Sequence, residues 1–338
     1  MQLNQRINAF VALGGEMGKM AQKPELYADL FARTYGHNKW FDPSQIGFAL
    51  QQWSEQLTQK SLEQWVAHYQ SEFTGGKTIA LVLAGNIPLV GFHDILSGLI
   101  SGHKIVCKSS SKDPVLTQYV LEKLISIEPK FESYIQWANG PLKGFDGVIA
   151  TGSNNSALHF EHYFKSYPHI IRKNRTSVAV LKGDESQEQL SALAQDIFRY
   201  FGLGCRNVSK LYVPRAFDFQ PFFGAAYAYG HMMQHDKYMN NYDYNKAVYL
   251  MSQTALLDNE FLLLKEDTAL VSPIAVVFYE YYDDLQSLSA HLKTLEENIQ
   301  CVVGNAPELC TVNFGQTQCP KLSDYADGVD TLAFMNSL

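Results

Sequence analysis

The sequence contains no apolar run approaching the roughly 18 residues that a membrane span requires. Its opening, Met1-Gln2-Leu3-Asn4-Gln5-Arg6, lacks the charged-then-apolar pattern of a secretory signal, and a cytoplasmic chain is expected. Cysteine is sparse: Cys107, Cys205, Cys301, Cys310 and Cys319 make an odd count of five with no Cys-x-x-Cys pair. That pattern argues against a disulfide framework and against structural zinc. His231-x-x-x-His235 would share one helix face, but no acidic third ligand follows at a familiar spacing, so no metal site is expected. Basic residues show no excess: 27 Lys and Arg stand against 34 Asp and Glu, a net charge of −7, and they are scattered. The electrostatic footprint of a nucleic-acid binder is missing. No internal repeat, low-complexity tract or linker interrupts the chain, so its parts should be tightly joined.

What is present is a globular composition, 46% hydrophobic and 18% charged, over 338 residues. That length exceeds one simple core and suggests about two lobes. Residues 1–75 read as mostly helical, with helical spacing over 46–73 that includes Trp53 and Trp65, and Gly75-Gly76 closes the region. An alternation follows: strand 78–84, helix 90–101, strand 104–108, helix 114–127, strand 147–150 and a helix after Ser153. A second set comprises strand 177–181, a helix leading to Cys205, strand 210–214, helices 220–234 and 244–251, and strands 274–279 and 300–303. Apolar strands alternating with helices imply an α/β fold with parallel sheets covered on both faces. Ligands bind such sheets at the carboxyl ends of the strands. There the sequence places Gly85-Asn86-Ile87-Pro88, Lys108-Ser109-Ser110-Ser111 and Thr151-Gly152-Ser153. Each loop taken singly reads as an ordinary turn or helix cap, yet a lysine, hydroxyls and helix-start amides together suit phosphate and ribose groups.

Cys205 stands apart from the other cysteines. Leu190, Leu193, Ala194, Ile197, Phe198 and Phe201 recur at helical spacing, and Gly202 and Gly204 then release the backbone, so the thiol should sit on a turn. A thiol beside a cation and close-packed amides can hold its thiolate, the form that attacks a carbonyl carbon. Arg206 could be that cation or a structural one. Aromatic residues crowd 217–249, among them Phe219, Phe222, Phe223, Tyr227 and Tyr229. They would form core, a subunit interface or the lining of a ligand tunnel.

In this order the motifs resemble the aldehyde dehydrogenase superfamily and, within it, the LuxC-type acyl-CoA reductases, over about residues 78–214. The segments Phe314-Gly315-Gln316-Thr317-Gln318-Cys319-Pro320 and Tyr325-Ala326-Asp327-Gly328 resemble the end of such chains. The resemblance implies an aldehyde dehydrogenase-like α/β fold, with a Rossmann-like parallel-sheet cofactor domain and an α/β catalytic domain. It places the helical region and cofactor domain at 1–175, rejoined by 312–338, and the catalytic domain at 176–311. By the same resemblance Cys205 is the nucleophile and Asn86 an oxyanion-hole donor. Lys108, Ser109 and Ser111 would touch the adenosine side of the cofactor, and Gly152 and Ser153 would lie near its pyrophosphate. The substrate implied is an acyl-CoA or acyl-carrier thioester. An acyl-activating synthetase partner and a homo-oligomer are also implied.

Two departures shape the expected chemistry. Aldehyde-oxidising members carry a water-activating glutamate 34 residues before the cysteine, and here that position is Ile171. Without a positioned base, hydrolysis of the acyl-enzyme loses roughly 10²- to 10⁴-fold, although Glu161 or Glu185 could substitute. NAD-preferring relatives often carry a glutamate three residues after the lysine, where this chain has Ser111 followed by Lys112. NADPH is therefore expected over NADH. The family's glutamate that holds the nicotinamide ribose is also missing around Val271-Ser272-Pro273. The expected activity is NADPH-dependent reduction of the acyl thioester to the aldehyde through a Cys205 acyl-enzyme. The alternatives are a cysteine-dependent acyltransferase or thioesterase, an aldehyde-oxidising dehydrogenase, and a non-catalytic scaffold.

Overall fold

Ile7, Phe10, Leu13, Met17 and Met20 line one side of the first helix, α1 (Leu3–Gln22), and are all essentially inaccessible. A stripe at this spacing is what fixes an amphipathic helix against a core. It packs on α3 (Pro43–Gln56), which follows α2 (Ala28–His37) and precedes α4 (Gln59–Val66). The computed structural model describes residues 1–69, 73 and 75–338. Part of the expected helical stretch 46–73, at 70–72, lies outside the described residues. Within the rest, Leu57 leaves the helix and Thr58 caps α4 by accepting from the Ser61 amide, so one expected helix is two.

The strands β1 (Thr78–Val82), β2 (Lys104–Lys108), β3 (Ile135–Trp137), β4 (Gly147–Thr151) and β5 (His169–Arg172) form a parallel sheet in the order β3-β2-β1-β4-β5. The intervening helices are α5 (Phe92–Ile100), α6 (Leu116–Ile127) and α7 (Asn154–Phe164). Strand alternation sends Ile79, Leu81, Ile105, Cys107 and Ile149 into one apolar cluster with α1, α5 and α6. Ala80, Val106, Val148, Ala150 and Phe164 go into another. Burial on both faces explains why these strands read as continuous apolar runs. The helix Thr331–Asn336 belongs to the same unit, burying Leu332 and Met335 completely, and the His103 Nε2–Met335 carbonyl and Arg172 Nη2–Thr331 Oγ1 hydrogen bonds hold it.

By its internal contacts the chain divides into residues 1–174 with 321–338, and residues 175–320. Residues 312–320, expected with the cofactor domain, thus fall with the second unit. That unit comprises β6 (Thr176–Val180), α8 (Gln187–Phe198), β7 (Val208–Pro214), α9 (Gln220–Ala226), α10 (Asp236–Met251), β8 (Leu257–Asp258), β9 (Leu263–Glu266), β10 (Val276–Tyr282), α11 (Leu285–Thr294) and β11 (Ile299–Gly304). Its sheet runs β11-β6-β7-β10-β9-β8, parallel except for the β8–β9 pair. The expected helix 220–234 changes to 3₁₀ geometry at Tyr227. α10 begins eight residues before its expected start, where His235 Nδ1 accepts from the Tyr238 amide.

Candidate active site

The register sets Val82 level with Lys108 and with Ala150, so the chain leaves β1, β2 and β4 at one edge of the first sheet. Asn86, Lys108, Ser109, Ser111, Gly152 and Ser153 all emerge there. Asn86 is half-buried, and its amide makes no hydrogen bond among the described residues. Lys108, Ser109, Ser111 and Lys112 are exposed. The nearby Asp113 carboxyl is buried and turned inward onto the Thr117 hydroxyl (2.7 Å), and burial pushes its pKa up. The edge therefore offers cations and hydroxyls without a facing carboxylate, a donor set that fits a phosphorylated nucleotide. The loops also fit each other closely. A Cβ on Gly85 would stand 2.7 Å from Ser110 Cβ and Oγ and 3.0 Å from the Asp113 nitrogen. A Cβ on Gly152 would stand 2.8 Å from Ser156 Cβ, while Ser153 Oγ caps α7 by accepting from the Ser156 amide at 3.3 Å. Gly152 and Ser153 thus have structural duties at the start of α7 as well as their expected place near a pyrophosphate.

Ile171 lies on β5 opposite Ala150, packed against the Ala80–Val148–Ala150–Phe164 cluster. Its surroundings are hydrocarbon. Glu161 pairs with Lys173 at 2.9 Å, and the Glu185 carboxylate accepts from the amides of Lys182 (2.6 Å) and Gly183 (3.0 Å). Both candidate substitutes for the missing base are held in local contacts.

In the second unit α8 ends at Phe198, and Tyr200 (φ 55°) and Phe201 (φ 60°) then both adopt left-handed backbone, followed by Gly202 (φ 78°) and Gly204 (φ 98°). Left-handed backbone costs a non-glycine residue about 1–3 kcal/mol, and here two such residues in succession are held by their burial. The reversal delivers Cys205 to a half-buried turn before β7. Ser177 Oγ on β6 donates to the Cys205 carbonyl at 3.1 Å, and the Asn207 amide donates to the Gly204 carbonyl at 3.3 Å. Arg206 Nη1 donates to Cys301 Sγ on β11 at 3.4 Å, so this cation also has a structural partner. Cys107 is fully buried with its thiol pushed up by desolvation, and burial raises Cys310 too. Of the aromatic cluster, Phe219, Phe222, Tyr238 and Tyr242 are buried, whereas Tyr227 and Tyr244 are exposed. A void beside Phe201, Gly202 and Tyr238 measures only about 10 Å³. No group of three metal-ligating side chains occurs among the described residues.

Sequence reasoning missed Asp196. It is wholly buried on α8, nine residues before the cysteine. Its Oδ2 accepts from the Gly315 amide (2.6 Å), and its Oδ1 from the Thr317 amide (3.0 Å) and hydroxyl (2.8 Å). The closing segment noted for its resemblance to the family is therefore tied to the helix that ends at the cysteine turn. Burial outweighs these three hydrogen bonds and raises the carboxyl to about 6. The available signal was a lone carboxylate within the apolar run Leu193-Ala194 to Ile197-Phe198.

Comparison with known proteins sets this geometry in context. The model of the family described as "Acyl-CoA reductase (LuxC)" matches residues 39–221, just over half of the chain. A long-chain acyl-protein thioester reductase of Vibrio harveyi is 24% identical over 159 residues, covering 43% of this chain and 33% of that protein. The chain spans about a third of that relative's length. Among solved structures, aldehyde dehydrogenase 21 of Physcomitrella patens, in complex with succinate, aligns over 100% of this chain and 84% of its own, with TM-score 0.72 and 12% identity. The aldehyde dehydrogenase of Mycobacterium tuberculosis complexed with NAD+ covers 93% of this chain and 77% of its own, with TM-score 0.64 and 13% identity. The fold is that of the aldehyde dehydrogenases.

Proposed function

Because the chain belongs to the acyl-CoA reductase (LuxC) family, we propose that it reduces an acyl-CoA or acyl-carrier thioester to the aldehyde through a Cys205 acyl-enzyme, with NADPH as reductant. The observation that carries this reading is the Cys205 turn, where two buried left-handed residues hold one half-exposed thiol at the end of α8. The Cys205 thiolate attacks the thioester carbonyl carbon, a sulfur–carbon bond forms, and the carrier thiolate leaves. The Asn86 amide and the Cys205 backbone N–H are the donors for the oxyanion, of the kind whose loss costs about 10²- to 10³-fold. Lys108, Ser109 and Ser111 hold the adenosine side of the nucleotide and its 2′-phosphate, with Gly152 and Ser153 near its pyrophosphate. A reduced nicotinamide held by these residues would supply the hydride that the acyl carbon takes up. Cys205 then departs as thiolate and the aldehyde is released. The hydrocarbon around Ile171 supports this outcome over hydrolysis, because that position offers water no base.

The test is covalent labelling. With radiolabelled long-chain acyl-CoA the wild-type chain should take up hydroxylamine-sensitive label, which NADPH discharges as aldehyde, and Cys205→Ala should take up none. Label persisting in the variant would refute the assignment. Discharge as free acid would make the protein a hydrolase.

A further inference from the structure

Arg6 is only 6% exposed, yet its side chain makes no hydrogen bond or ion pair among the described residues, and its buried Nε has no partner. An uncompensated buried charge is costly, and desolvation accordingly lowers its pKa. Its guanidinium lies against Gly102, where a Cβ would overlap Nη1, and it borders a cavity of about 340 Å³. Gln2, Gly75, Lys104 and Tyr134 share the lining, and among the described residues no aspartate or glutamate does. The amino end of the 20-residue helix α1 opens here, with no acidic residue in its first turn. His103, behind Arg6, hydrogen-bonds the Lys77 amide and the Met335 carbonyl, and burial lowers its pKa. Asp146, a carboxylate that acts on that histidine electrostatically, accepts from the Thr78 amide. Among the described residues, two side-chain cations and a helix amino terminus thus face this cavity with no carboxylate.

We propose that this cavity is a second ligand site, which binds a small phosphorylated molecule through its phosphate, held by Arg6, Lys104 and the amino end of α1. Its volume falls within the roughly 300–1,000 Å³ of small-molecule sites. It is separate from the nucleotide edge: Lys104 opens β2 and Lys108 closes it, about 13 Å apart at about 3.3 Å per residue. A doubly charged phosphate matches this donor set better than a single carboxylate does.

Equilibrium dialysis of the full chain against radiolabelled inorganic phosphate, at fixed ionic strength, tests the proposal. Saturable binding is expected, weakened at least tenfold by Arg6→Gln and several-fold by Tyr134→Phe or Lys104→Ala, and unchanged by Lys60→Ala, which removes an exposed cation on α4. Equal binding by wild type and Arg6→Gln, or no saturable binding, overturns it. A second readout is thermal melting without phosphate. A ligand-binding arginine predicts that Arg6→Gln melts at or above the wild-type temperature, because the uncompensated charge is gone. A variant that melts lower or fails to fold would make Arg6 a structural cation and overturn the proposal.

Discussion

At the scale of the residue, Asp196 shows how one buried carboxylate links distant chain. Its pKa rises from an ordinary 3.8 to about 6. The folded state therefore holds this proton more tightly than the unfolded state does, so between about pH 4 and 6 stability falls as pH rises. A displacement of about two units corresponds to about 3 kcal/mol lost across that window. Asp196→Asn should abolish this part of the slope, and urea unfolding of both proteins at pH 4, 5, 6 and 7 checks it; parallel profiles would contradict the assignment. Cys205 was legible because glycines on both sides of Leu203 mark a helix stop. The left-handed Tyr200 and Phe201 were not, since neither residue type favours that conformation and only burial holds them there.

At the scale of the element, the loops after β1, β2 and β4 act as one edge. Ser111 is exposed there beside Lys112, and the nearby Asp113 carboxyl is turned inward. A carboxylate at 111 would face a 2′-phosphate a few ångströms away, a repulsion of about 1–4 kcal/mol. Ser111→Glu should therefore lower the NADPH-to-NADH ratio of kcat/KM at least tenfold in steady-state assays, and an unchanged ratio would show that the 2′-phosphate lies elsewhere. The long apolar strands β1, β2 and β4 were readable because burial on both faces leaves a continuous signature. β3 and β5 were not, since Ile-Gln-Trp and His-Ile-Ile-Arg are too short to show a period. The break between α3 and α4 escaped because Leu57 fits the apolar spacing on either side of Thr58.

At the scale of the whole molecule, the chain leaves its first unit at 174 and returns to it at 321. The return is secured by Trp65 Nε1 donating to Tyr325 Oη at 2.9 Å, by His93 with the Leu322 carbonyl at 2.9 Å, and by the buried pair Arg172–Asp94 beside Thr331. Leu332→Ala, in the returning helix, should cost about 2–5 kcal/mol. Its effect is read as a lower urea midpoint with an unchanged m-value, and a change below 0.5 kcal/mol would mean that the segment adds little. By itself the sequence determined the α/β class, the edge loops and the cysteine turn, because each is written in local spacing, and the resemblance of its motifs pointed to the family. The tertiary structure alone decided that Asp196 grips Gly315 and Thr317 across about 120 residues, and that Arg6 faces a cavity bordered by Lys104 and Tyr134. Both depend on which distant groups share a space without water, and burial, which sets the energy of a charge, is a property of the folded chain.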